Sequence, residues 1–337
     1  MKKFIIFFVL LLIIGCGDSS NIKDSNDKTP SKPDYFDQMW NINPNSVYQE
    51  SGIVKDDADI HLLQAWEKTY GEGVKVAVID DCFDAQHSDL IANVYKTYDV
   101  NHDDSNVQGY NCHGTEVAGV IGAVKNDFGI VGVAPKVQLI LIKIDLEYSS
   151  ESDYVKAFEY AKHLGAKVIN CSWGSNHEGE IFADELKSLR DSGVITVFAS
   201  GNDGISLDMD GFDDESEDPN VIGVGATKGE TNDYAPYSSY GKNIDIMAPG
   251  GSLDLGVIVL GDDEQYFEST GTSYSSPTVA GVIALMLSLN PSLSFDEVYD
   301  KITKNADKIG IENGAHYING FDIRRAYGKI NALKSLQ

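Results

Sequence analysis

Five short apolar runs, rich in β-branched residues, recur along this chain: 74–79 (VKVAVI), 137–144 (VQLILIKI), 167–170 (KVIN), 194–199 (VITVFA) and 221–225 (VIGVG). Runs that are apolar on both faces suit strands of a parallel sheet covered by helices on each side. Helical stretches alternate with them at about 60–69, 114–123, 152–164, 180–191, 274–289 and 295–305. That alternation predicts an α/β fold, a doubly wound, mainly parallel sheet with helices on both faces. Ligands of such sheets bind outside the carboxyl ends of the strands. Asp80 follows directly on one predicted strand, and Asn202 falls three residues after another.

The N-terminal segments belong to something else. Lys2 and Lys3 precede an apolar run from Phe4 to Ile14, followed by Gly15 and Cys16. A charged start, a short apolar stretch and a small residue before a cut read as a secretory leader over residues 1–16, too short for a permanent span. Residues 17–36 are polar, hold Pro30 and Pro33, and read as a flexible tether. Residues 37–335 then read as a single domain, large enough for a well-buried core.

The formal charge is −26, and −28 once Lys2 and Lys3 leave with the leader. That argues against nucleic acid or an anionic membrane surface as partner. It is compatible with basic substrates, with calcium, and with solubility alone. Apart from Cys16 the cysteines are Cys82, Cys112 and Cys171, an odd number that leaves at least one free thiol. No zinc-ligand pattern and no phosphate loop is present.

Three segments carry candidate chemistry: VAVIDD ending at Asp80–Asp81, CHGTEVAG around His113, and GTSYSSP around Ser273. Each places one member of a Ser-His-Asp triad at the edge of a regular element, in the order Asp, His, Ser. A serine hydroxyl needs a base within reach, His113, and the base needs an acceptor for its other N–H, Asp80. Gly271 and Thr272 lead into a helix that starts at Ser273, with Pro277 expected in its first turn. Backbone N–H groups there would face the charge developing on a substrate carbonyl. FASGND adds Asn202, a side-chain amide suited to the same oxyanion.

These motifs extend over VAVIDxxxDxxHxDL, HGTxVAG and GTSxxSPxVAG, with VINCSWG, IGVGA and DIMAPG between them. Over about residues 37–335 the chain resembles the subtilisin family of serine peptidases. Ile13-Ile14-Gly15-Cys16 resembles a bacterial lipobox, which implies a membrane anchor through acylated Cys16 on an exported protein. The resemblance implies a serine endopeptidase acting on proteins or peptides through Asp80, His113 and Ser273, with Asn202 in the oxyanion site; a monomer is expected. It also implies that Ser172-Trp173-Gly174 pairs with extended substrate and flanks the S1 pocket, with Ser200-Gly201 as the other wall. Asp81 and Trp173 resemble the kexin branch. Cys82, where a glycine is usual, and Cys112 beside His113 admit three readings: small packed residues, a disulfide, or redox control.

Between Asn202 and Pro219 lie eight carboxylates in sixteen residues. Aligned without gaps, Asp213 falls at the S1 floor, which implies a preference for Arg or Lys at P1 over apolar side chains. The resemblance further implies a structural Ca²⁺ held by Asp89, Asn126 and the carbonyls of Val124, Phe128 and Ile130, with Gln38 from the N-terminal segment. A solvated acidic loop and a capping Asp89 are the plainer alternatives. From a different class, the alternative function is an inactive surface or periplasmic binding protein on the same scaffold.

Overall fold

In the computed structural model, residues 32–174, 179–209 and 214–337 are described. Cys16 and Asp213 therefore lie outside the described residues. Pro33–Gln337 forms one compact unit. Its strands are β1 (Lys75–Asp80), β2 (Val94–Asp99), β3 (Gln138–Lys143), β4 (Val168–Cys171), β5 (Ile195–Ala199), β6 (Val221–Lys228), β7 (Asp233–Tyr234), β8 (Ile246–Pro249), β9 (Val257–Leu260) and β10 (Tyr266–Ser269). The helices are α1 (Val47–Glu50), α2 (Leu62–Ala65), α3 (His113–Gly122), α4 (Glu151–His163), α5 (Glu180–Asp191), α6 (Thr272–Leu289), α7 (Phe295–Lys304) and α8 (Ala332–Ser335).

The sheet runs β2-β3-β1-β4-β5-β6, with β8 parallel to β6 and only the two-residue β7 antiparallel. β9 and β10 form a separate antiparallel hairpin. The doubly wound, mainly parallel sheet is as expected from the five apolar runs. Successive residues of each strand serve opposite faces. Val76, Val78, Leu139, Leu141, Val197 and Val224 pack with α3, α6 and α7. Ala77, Ile79, Ile140, Ile142 and Ile169 pack with α4 and α5 on the other side. Helix α6 is long and apolar enough to cross a membrane, but here it is the buried helix of the core.

Besides adding strands β7 to β10 and the one-turn helices α1 and α8, which no expected run or stretch covers, the chain leaves the expected pattern in three places. The helix expected over 60–69 shrinks to Leu62–Ala65. Thr69 Oγ1 accepts the Gly71 N–H at 3.1 Å and Glu72 accepts the Tyr70 N–H at 3.0 Å, so side chains capture the backbone that would have continued it. β2 was not expected, because its polar YKTYD is an edge strand exposed at Tyr95 and Lys96. Pro277 sits in the second turn of α6, since that helix starts at Thr272.

Candidate active site

The carboxyl ends of β1, β4 and β5 converge where the strand order reverses around β1, the crevice favoured for ligands in open α/β sheets. Asp80 ends β1 and is fully buried. Its Oδ1 accepts the Asp81 N–H at 2.9 Å and lies 3.0 Å from His113 Nδ1; its Oδ2 is 3.2 Å from the same nitrogen. That pairing orients the ring and, whenever the imidazole is neutral, leaves Nε2 as the acceptor.

His113 is the first residue of α3, whose N-cap, Cys112, offers no side-chain cap. Asp81 caps the helix instead. Its carboxylate accepts the N–H groups of Gly114 (3.1 Å) and His113 (3.4 Å), donors that the helix start leaves open, and also that of Cys82 (2.6 Å) in its own turn. Burial pushes the Asp81 carboxyl above its ordinary range and the Asp80 charge adds to this, while the Gly114 and Cys82 N–H groups oppose it. For His113, burial favours the neutral ring. The Asp80 carboxylate, then Glu116 and Asp81, outweigh it and push the imidazole up to about 9.

The sulfurs of Cys82 and Cys112 are bonded, so the disulfide is the reading the structure adopts of the three. Gly109 has to be a glycine here, because a Cβ would run into both sulfurs. The bridge ties the segment after Asp80 to the residue before His113 across a sequence separation of 30. Closing a loop of that length contributes about 3–4 kcal/mol through the unfolded chain. Cys171 stays a free, buried thiol.

Ser273 is the second residue of α6. Because Pro277 has no N–H, the Ser273 carbonyl lacks its helical partner four residues on. Ser172 Oγ donates to that carbonyl at 2.9 Å, and the Ser273 hydroxyl donates back to the Ser172 carbonyl at 3.3 Å. Ser172 Oγ in turn accepts from Asn170 Nδ2 at 3.0 Å, and Asn170 Oδ1 accepts from Ser276 at 2.8 Å. A buried polar chain thus ties β4 to the start of α6. Asn202 Oδ1 accepts both the N–H (2.9 Å) and the hydroxyl (3.0 Å) of Thr272. With its oxygen so occupied, the amide presents Nδ2 as donor beside Gly271, whose φ of 155° and ψ of 161° are open essentially to glycine alone.

Ser172, Trp173 and Gly174 form one wall of a cavity of about 160 Å³, and Ser200 and Gly201 form another; Asn202 and Ser273 stand beside it. Trp173 is held in place by its Nε1–H donating to the Ile79 carbonyl at 2.7 Å and by ring contacts with Tyr154 and Phe198. Asp203 and the buried Asp214 also line the cavity. Asp214 Oδ1 accepts from the N–H and hydroxyl of Ser216. A Cβ on Gly174 would stand 3.0 Å from Asp214 Oδ2, a tight contact, and 3.5 Å from Glu215 Oε2, an ordinary one, so both acids lie against this glycine. Asp213, which the ungapped count puts at the S1 floor, lies outside the described residues, and its neighbour Asp214 is the buried acid found in the cavity wall. The local signal was its serine two positions on, the pattern of an Asx turn.

Asp89 is fully buried inside the loop 124–130. Its oxygens accept from Asn126 Nδ2 (3.0 Å), the Ile130 N–H (3.0 Å) and the Tyr266 hydroxyl (3.2 Å). Pro33–Tyr35 pairs with this loop through Gly129, and Asp34 lines the small cavity there with Lys125, Asn126 and Phe128. Gln38 ends a 3-10 turn and does not line it. Among the described residues, no cluster of three or more His, Cys, Asp or Glu side chains is placed to hold a metal ion. Even so, among the described residues nothing donates a hydrogen bond to the carbonyl oxygens of Val124 or the buried Ile130. A buried carbonyl without a donor is rare, and its oxygen suits a hard cation. On that ground the loop fits calcium.

A doubly wound sheet with an Asp-His pair, a serine at a helix start and a fixed amide at one crevice defines a hydrolase of the serine-peptidase class. The model of the subtilase family matches residues 71–328. The thermophilic serine proteinase of Bacillus sp. (strain AK1) is 32% identical over 311 residues, 91% of this chain and 72% of that protein. Subtilisin DY of Bacillus licheniformis is 35% identical over 243 residues, 71% of this chain and 86% of its own. A solved protease structure from Pseudoalteromonas arctica superposes with a TM-score of 0.75 at 25% identity, covering 90% of this chain and 98% of that one. The chain belongs to the subtilase family and is a serine endopeptidase.

Proposed function

We propose that Ser273 is the nucleophile, His113 the general base and Asp80 its orienting partner in an acyl-enzyme mechanism. The Ser273 hydroxyl turns from the Ser172 carbonyl toward His113 Nε2 and attacks the scissile carbonyl carbon as its proton passes to the ring. Asn202 Nδ2 and the Ser273 N–H stabilise the oxyanion, the Thr272 N–H being taken by Asn202 Oδ1. Collapse breaks the C–N bond, and His113 returns the proton to the leaving amine. Water then attacks the acyl-enzyme with His113 again as base, which releases the acid and restores Ser273. The observation that carries this is the Asp80–His113 pair at 3.0 Å beside a helix start whose neighbouring amide is oriented by Thr272. A fluorophosphonate probe should label the parent and not Ser273→Ala; an unlabelled parent refutes the assignment.

The cavity beside Ser273 is proposed to take Arg or Lys at P1, with the buried Asp214 as the acid in its wall. An apolar side chain there would strip water from the carboxylate without supplying a cation. Arg and Lys compared with Phe and Leu at P1 in otherwise identical peptides decide it. The loop around Asp89 is proposed to hold Ca²⁺ through Asp89, the carbonyls of Val124, Phe128 and Ile130, and the Asn126 amide oxygen, which would have to leave the Phe128 N–H and replace Nδ2 beside Asp89. Removing calcium with a chelator should lower Tm by several degrees and restoring it should reverse the drop; an unchanged Tm refutes the site.

A further inference from the structure

Helix α3 carries an acid at its start that the reaction scheme above does not use. Glu116 lies one turn after His113, on the same face of the helix. Across from it is Tyr274, the residue after Ser273, whose hydroxyl donates to Glu116 Oε2 and pairs with Ser269 Oγ at 2.7 Å. The His113 and Tyr274 rings lie 6.3 Å apart. Tyr274 is buried in a small core with Trp40, Val120, Val257 and Val259, so it has little freedom to move.

We propose that Glu116 and Tyr274 are positioning residues: their hydrogen bond clamps the helix bearing the base to the helix bearing the nucleophile, and the Glu116 carboxylate stabilises the imidazolium that forms at His113. This rests on the triad reading. The clamp joins the two helices one residue from Ser273 and one turn from His113, where small displacements cost most in rate. The charged and titratable groups facing His113 are Asp80 at the end of β1, Asp81 in the turn after it, Glu116 on its own helix and Tyr274 on α6. Asp262, from the β9–β10 turn, meets the Cys112 N–H at 3.1 Å. Glu116 contributes to holding the His113 ring in its charged form. Burial pushes the Glu116 carboxyl itself up, with Asp80 and Asp81 adding to this, while the Tyr274 hydroxyl and His113 hold it down.

The test uses the full chain, a peptide amide substrate and the fluorophosphonate probe, with Glu116→Gln, Tyr274→Phe and the double variant. Glu116→Gln should lower kcat about 5–10-fold with KM within about twofold, and should move the acid limb of kcat/KM down by roughly 0.5–1 unit. Tyr274→Phe should lower kcat by a similar factor. The double variant should be no worse than the poorer single, because both remove one device. Should Glu116→Gln fail to fold, Tyr274→Phe carries the test. A labelled parent whose folded variants keep kcat within twofold, with the acid limb in place, overturns this inference alone. A parent that the probe does not label overturns the triad reading and this one with it.

Discussion

Asp80→Asn should lower kcat by roughly 10⁴-fold with the fold intact. The reason lies in how the carboxylate is shared. Asp80 Oδ1 accepts the Asp81 N–H at 2.9 Å, and a backbone donor there will keep the amide oxygen of an asparagine on that side. The amide NH₂ would then occupy the place of Oδ2, 3.2 Å from His113 Nδ1. The retained oxygen, 3.0 Å from Nδ1, carries no charge to stabilise the imidazolium, and the NH₂ beside it meets the ring as a donor, which favours the tautomer with the proton on Nε2, where the base has to be free. The pH profile should change as well. His113 is raised to about 9 against burial chiefly by Asp80, so the acid limb of kcat/KM in the parent should lie well above the ordinary histidine value. In Asp80→Asn it should fall. Because the folded value exceeds the unfolded one, the His113 contribution to stability is fully present below about 6.5 and is lost as pH rises through about 9. Asp80→Asn should therefore destabilise the protein more at pH 6 than at pH 10. The measurements are single-turnover kinetics and thermal unfolding across that range. A loss in kcat below tenfold would remove Asp80 from its assigned role.

The parent enzyme should cleave after Arg at least about 30-fold faster, in kcat/KM, than after Leu. Losing one partner of a buried ion pair costs roughly 2–5 kcal/mol, and the lower bound already corresponds to that factor. Asp214→Asn separates charge from architecture, since the amide oxygen can still accept from Ser216 while Oδ2 loses its charge. It should bring Arg and Leu to within a fewfold of each other, mainly by slowing Arg. Asp213→Gly, made alongside, reports what the neighbouring acid adds. A parent that prefers Phe or Leu would sink the proposal, because the cavity wall would then be apolar in effect despite Asp214.

The fold was legible because its signal is local. Runs such as VAVI and LILI are apolar at every position, and only a strand covered on both faces can use them. Where the signal weakened, so did the expectation. The exposed β2 has no apolar run, and the stretch after Ala65 is diverted by Thr69 and Glu72. The candidate site was legible for a different reason. Asp80, His113, Ser273 and Asn202 each stand at the end of an element, and each is embedded in a motif several residues long. Asp214 had no such motif. It sits among eight acids, and only the serine two positions on, the mark of an Asx turn, sets it apart. Glu116 and Tyr274 each sit among other polar residues at a helix start, and a pair separated by 158 positions leaves no mark on either segment.

Periodicity and motif were enough to give the parallel sheet, its covering helices and the candidate acid, base and nucleophile, because these depend on which residues are neighbours along the chain. Folding alone decided which distant groups meet. It brought Asp80 to within 3.0 Å of His113, bonded Cys82 to Cys112, filled the carbonyl vacated by Pro277 with Ser172, and set Tyr274 on Glu116. Each of these contacts spans 30 residues or more. They form because the packed sheet holds strand ends and helix starts in fixed relation, and the strength of each then depends on burial and on the charges nearby.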